Sequence, residues 1–94
     1  MTDRRTLTID GDKIKTETQL HKWLAEALEF PCWYGNNFDA LFDMLSAEVS
    51  KPLLIRVINP AQLQENLGPA ADVLSRVLVH AALENRHLEI DYDY

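Results

Sequence analysis

Apolar and polar positions change period several times along the chain, and each change marks an element. Residues 6–9, TLTI, alternate polar and apolar side chains and are largely β-branched, the pattern of a half-buried strand that Asp10-Gly11 brings to an end. That dipeptide also signals a hairpin toward Lys13-Ile14-Lys15, but no alternation continues and a helix start follows at once. Thr16 and Gln19 have the spacing of a capping box, in which the hydroxyl caps backbone N–H groups while the amide reaches back. Leu20, Trp23, Leu24, Ala27 and Leu28 then recur at i, i+3, i+4, i+7 and i+8, predicting a helix to about Glu29 with Trp23 in the core. Pro31 is expected to stop it.

A loop from Cys32 to Asn36 leads to Asn37, a good N-cap for a second helix. Phe38, Leu41, Phe42 and Leu45 form its apolar stripe, and at about 100° per residue Asp39, Asp43 and Ser46 lie roughly 90 to 150° from the stripe centre. The two carboxylates therefore face water or a partner, while Phe42, at the edge of the stripe, suits core and interface alike. Pro52 opens LLIRV, a nearly continuous apolar run expected where helices cover most of a sheet. Asn59 as cap and Pro60 at the first helical position introduce a short helix that Gly68 ends. Pro69 starts another, in which Val73, Leu74, Val77, Leu78 and Ala81 line one side up to about Glu84. LEIDY, residues 88–92, alternates again as a third strand.

Strands separated by helices normally lie parallel, because only a long crossover returns the chain in the same direction. The predicted class is α/β: a three-stranded parallel sheet packed with about four helices, in a single domain spanning residues 1–94 without repeats or linkers.

A chain of 94 residues should bury roughly 60 to 65% of its unfolded surface, enough for a compact core. With 47% hydrophobic residues and no apolar run of membrane-spanning length, the composition is that of a globular protein without a transmembrane helix. MTDRRTLTID carries charges where a secretory signal needs an apolar segment. Cys32, the only cysteine, excludes an internal disulfide and suits a reducing compartment, so a cytoplasmic location is expected. Fifteen acidic against nine basic residues give a net charge of -6, which disfavours nucleic acid and anionic membranes and favours a basic partner. The same charge also keeps a small domain soluble.

Asp39 and Asp43 are the first candidates for chemistry. Like charges at i and i+4 disfavour a helix by about a few tenths of a kcal/mol. Asp39 lies in the first turn, where the helix dipole favours an anion. Asp43 lies beyond it, and Ala40, Ser46 and Ala47, its neighbours at i±3 and i+4, offer no positive charge. As an acid-base pair the two would sit on a convex helix face without a cleft. No HExxH, EF-hand loop or cysteine cluster marks a metal site, and no GxSxG, P-loop or Rossmann fingerprint marks catalysis or a cofactor. WYGNN lacks the lysine and spacing of a phosphate cradle. His21 on the polar side of its helix, His80 late in a helix and His87 at the start of a strand suit solvated or capping roles. Neither an enzyme nor a bound cofactor is expected.

WYGNNFDALFD resembles the loop and second helix of the barstar family, intracellular inhibitors of secreted ribonucleases. The family pattern pairs an aromatic-Tyr-Gly with Asn, then Asp-Ala-Leu, an aromatic and Asp. Element order and length are similar over nearly the whole chain, including the Leu20-His21 start of the first helix and the Pro52-led second strand, but the motif supplies most of the specificity. The resemblance implies a barstar-like fold and an acidic loop and helix that plug a ribonuclease active site one to one. Carboxylates would then occupy places meant for substrate phosphates. Asp43 matches the central aspartate that meets the enzyme's cations, Asp39 the one a turn earlier, and Trp33, Gly35, Asn37, Phe38 and Phe42 the surrounding contacts. Trp33 stands where the family usually has tyrosine, Asn36 where it has an acid, Glu48 where it has an aromatic, and His80 about where it has a further acidic contact. These departures bear on which enzyme is bound more than on how. An acidic module for some other basic protein or toxin keeps the fold and drops ribonuclease inhibition.

Overall fold

The computed structural model describes residues 4–94; residues 1–3, part of the amino-terminal stretch read against an export signal, lie outside it. Strands β1 (Arg5–Asp10), β2 (Leu53–Ile58) and β3 (Leu88–Asp93) form one parallel sheet in the order β1-β2-β3. Leu7 lies beside Ile55 and Ile55 beside Ile90, so one row of apolar side chains crosses all three strands. Leu7, Ile9, Leu53, Ile55, Val57 and Leu88 are buried on that face.

The other face is open. Thr6, Thr8, Arg56, Glu89 and Asp91 are exposed there and Leu54 and Ile58 half-buried, so the LLIRV run alternates and helices cover one face of the sheet instead of most of it as expected. Charge pairing substitutes for the missing layer: the Arg56 guanidinium reaches Asp91 at 3.6 Å and Asp93 at 3.1 Å.

Helix α1 (Glu17–Ala27) starts as its sequence dictates, with Thr16 Oγ1 accepting from the Gln19 amide at 3.0 Å. The Gln19 side chain reaches further back than a capping box requires: its Oε1 accepts from Lys15 N–H at 2.7 Å and its Nε2 donates to the Lys13 carbonyl. The helix ends short of Glu29, which adopts a left-handed φ of 55°. Phe30 N–H donates to the Ala25 carbonyl at 2.9 Å and Glu29 N–H to that of Glu26, a Schellman ending built without glycine. Pro31 follows this stop and does not make it. Trp23 is half-buried at the margin of the core, not inside it.

Helix α2 (Phe38–Asp43) runs directly into one π turn, Met44–Glu48, which the sequence reading did not anticipate. Helices α3 (Pro60–Leu67) and α4 (Pro69–Glu84) complete the helical layer. Asn59 does not cap α3: with φ 51° its side chain turns away and donates to the carboxylates of Asp10 at 2.9 Å and Asp12 at 3.2 Å. That donation, with the Asp12 N–H, holds the Asp10 carboxyl below its ordinary value. Along α4, Ala71, Leu74, Leu78 and Ala81 are buried, whereas Val73 and Val77 are only half so. The predicted stripe thus splits into a core row and a row at the surface.

Buried Asn85 at the end of α4 joins two elements. Its Nδ2 donates to the Leu45 and Val49 carbonyls at 2.9 and 2.8 Å, and its Oδ1 accepts from His87 N–H. Carbonyls left unpaired where the π turn ends are satisfied this way, and the turn is tied to α4. Among the described residues no helix is long and apolar enough to cross a membrane.

Candidate functional site

The loop before α2 is held from three sides. Asn37 caps the helix as expected, its Oδ1 accepting from Ala40 N–H at 2.8 Å, and its Nδ2 donates to the Gly35 carbonyl. A Cβ on Gly35 would stand 2.9 Å from that Nδ2 and push the capping side chain aside. Asn36 takes the left-handed φ of 52°, which asparagine tolerates better than most residues. Below the loop, Tyr34 is buried with its ring 4.8 Å from that of Phe30.

The hydroxyl of Tyr34 meets His21 Nδ1 at 2.8 Å. His21 is therefore not the solvated residue its helix position suggested: it is 1% exposed, with the Phe38 ring edge-on at 4.8 Å. Its Nε2 has no hydrogen-bond partner, and the Glu17 carboxylate lies 3.7 Å away. A carboxylate on that side favours the proton on Nε2, which leaves Nδ1 to accept from Tyr34. Burial pushes the Tyr34 hydroxyl up to about 12, so it keeps its proton throughout. One imidazole thus links α1 to both the loop and the first residue of α2.

Burial also lowers the His21 pKa, against a smaller opposing pull from Glu17. A lowered value in the folded state means that the unfolded chain takes up the proton first. This contribution to stability is complete above the ordinary 6.5 and lost as pH falls below it toward the lowered value. Urea unfolding between pH 8 and 5 should show stability declining with acid in the wild type and a flatter profile in His21→Gln. Profiles of equal slope would remove His21 as the cause.

On α2 the four predicted side chains divide by depth: Phe38 and Phe42 are half-buried, Asp39 and Asp43 exposed. Phe42 packs against the core and also lines the surface, so it belongs to both. The π turn sends Met44 and Leu45 inward together while Ala47 and Glu48 stay outside, and Ser46 Oγ donates back to the Phe42 carbonyl at 2.7 Å.

Two shallow depressions flank this ridge. One lies between α2 and α4, where Phe38, Asp39, Phe42 and Asp43 face Val73, Arg76, Val77 and His80. The other is bounded by Trp33, Gly35 and Ala40 on one side and Met44, Ala47 and Glu48 on the other. Asp43 lines both. Trp33, 71% exposed, stands beside it. Seven of the eight sequence-selected residues therefore line one or the other depression, and Asn37, exposed and lining neither, holds the helix start beside them.

His80 is exposed and shares the groove with both aspartates. Arg76 was missed, although Val73, Arg76, Val77 and His80 fall at i, i+3, i+4 and i+7, a stripe visible in sequence once the core row is set apart. Among the described residues, Asp39, Asp43, Arg76 and His80 make no ion pair or side-chain hydrogen bond. Nor do three or more His, Cys, Asp or Glu residues gather there as a metal site. A separate cleft of about 570 Å³ between residues 28–31 and 48–53 holds none of the eight. Convex, unpaired carboxylates beside exposed aromatic surface can accept hydrogen bonds from cations brought by another molecule.

Comparison with known proteins finds similarity over nearly the whole chain. Residues 4–93 match the model of the family described as "Barstar (barnase inhibitor)". The chain is also 36% identical over 80 residues to the Bacillus subtilis (strain 168) protein named "Putative ribonuclease inhibitor YrdF", covering 85% of this chain and 88% of that one.

Proposed function

Because this chain belongs to the barstar family, we propose that it inhibits a secreted ribonuclease, binding one to one and closing the active site with the Trp33 loop and the α2 ridge. The family's description and the relative's name both concern ribonuclease inhibition. The observation that carries the reading is Asp43: exposed, unpaired and at the meeting of two depressions.

A ribonuclease cleft presents cations arranged for phosphate oxygens. Carboxylate oxygens accept the same charge-assisted, often bidentate bonds from arginine. Asp43 and Asp39 stand in for substrate phosphates, while Trp33 and the half-buried phenylalanines exclude water from the contact. His21, Tyr34 and Asn37 keep the loop in its bound shape beforehand, so little ordering remains to oppose association. In this reading residues 1–94 act as one domain without a cofactor, in the cytoplasm of the cell that exports the enzyme.

The test begins from neighbouring reading frames. A frame for an exported basic protein supplies the candidate partner, and an equimolar amount of this chain should abolish its cleavage of RNA. Persisting cleavage with both proteins in complex, or a captured partner without ribonuclease activity, would replace the reading with that of a general acidic interaction module.

A further inference from the structure

We propose that α4 adds a wall of N–H donors to the binding groove, the Arg76 guanidinium with the His80 ring beside it, and that this wall selects a ribonuclease carrying a carboxylate at the rim of its basic active-site cleft. The inference rests on the ribonuclease-inhibitor reading and specifies the partner's chemistry. Val73 and Val77 are half-buried and form the groove floor with Phe38 and Phe42, while the exposed Asp39 and Asp43 stand on the α2 side and Arg76 and His80 on the α4 side. The groove thus has an apolar base between walls of different polarity.

Two features show that the walls do not serve each other. No ion pair within 4.0 Å joins Arg76 or His80 to Asp39 or Asp43 among the described residues. The spacing of the two helices is fixed beyond the groove, since Asn85 ties the π turn after α2 to the end of α4 through the Leu45 and Val49 carbonyls. Each wall keeps its donors and acceptors for whatever enters.

A uniformly basic cleft seated on Asp43 would bring its cations against Arg76, and like charges desolvated together oppose binding. An acidic side chain on that rim turns repulsion into attraction. The guanidinium of Arg76 offers a carboxylate two parallel N–H bonds, and the His80 ring, one turn along the same face, offers a further N–H. Affinity for cations on the α2 side and discrimination on the α4 side are thereby separated.

A display library decides this. Catalytically inactive barnase, randomised around the rim of its active-site cleft, is selected for binding to three baits: the wild type, Arg76→Gln/His80→Gln and Arg76→Glu/His80→Glu. Both variant baits alter only exposed side chains, and thermal unfolding equal to that of the wild type checks that they fold alike. Wild-type selection should enrich Asp and Glu at rim positions, the neutral bait should lose that preference, and the acidic bait should enrich Lys and Arg. Clones selected on the wild type should bind the acidic bait about tenfold or more weakly, the size of effect a like-charge contact supports. If clones bind but show the same rim charges on every bait, the assignment to α4 is overturned and the inhibitor reading stands. If no clone binds any bait, a carboxylate on the rim does not make a barnase-type cleft acceptable to this groove and the assignment to α4 is overturned, while the inhibitor reading is judged separately by RNA cleavage with the partner from the neighbouring frame.

Discussion

Asp43→Ala should weaken binding to the cognate ribonuclease by about 10² to 4 × 10³-fold, almost entirely through faster dissociation. Removing one partner of a desolvated charge pair leaves the other buried and uncompensated, at a cost of about 3–5 kcal/mol, and each 1.4 kcal/mol is about tenfold. Asp43 lines both depressions, whereas Asp39 lines only the first and Glu48 only the second, so neither covers the position where the two meet. Glu89→Ala is the matched control: it also removes one exposed acid, but on the open side of the sheet, where among the described residues the side chain pairs with Arg4 at 3.1 Å. Pairs of that kind contribute about 0–1 kcal/mol, and their loss should leave dissociation unchanged. Surface plasmon resonance on the two variants distinguishes them, and comparable small losses from both would sink the assignment of Asp43. Raising salt should slow association of the wild type, since steering by the net charge of -6 is screened.

The largest effect on stability is expected at Gly11. Its N–H donates to the Ile58 carbonyl at 2.9 Å and its own carbonyl accepts from Asn66, so the first residue after β1 is fixed between the end of β2 and the last turn of α3. A Cβ there would lie 2.1 Å from the Asn59 carbonyl oxygen and 2.8 Å from the Leu63 nitrogen. Both atoms are backbone and cannot swing away as a side chain would. Overpacking usually costs about 1–3 kcal/mol and more where relief requires moving the chain, so Gly11→Ala should lose about 3 kcal/mol or more in urea unfolding. A loss below about 0.5 kcal/mol, the usual range for an uninvolved surface change, would mean that α3 shifts freely. Inhibition by molecules that remain folded should persist, because Gly11 lies outside the Asp43 surface.

Much of the framework was legible because short-range pattern and tertiary need coincide. TLTI and LEIDY alternate in step with a sheet that buries one face, and Thr16 and Asn37 cap helices through bonds that span only three residues. Misreadings arose where a distant partner decides. His21 looks solvated by polarity, yet Tyr34 thirteen residues away satisfies it in the interior. Asn59 has every local qualification as a cap and is claimed instead by Asp10 and Asp12. LLIRV is apolar enough for a doubly covered strand, but Arg56 carries its outward side through pairs with β3.

At the candidate site the α2 residues were readable from motif and helix angle, because a single helix fixes their relative directions. Arg76 was not. Its importance depends on α4 lying beside α2, and one apolar stripe on α4 concealed the division between Leu74 and Leu78 in the core and Val73 and Val77 in the groove. The π turn was equally hidden, since MLSAE has ordinary helical composition and the wider turn follows from its packing and from Asn85.

The exposed thiol of Cys32 sits one residue from Trp33. A dye, tether or sensor chip coupled to the native cysteine would therefore mount the molecule with the proposed binding side obstructed. Moving the attachment point to Thr8, which looks outward from the uncovered side of the sheet, turns the molecule over and leaves Asp43 facing the solution.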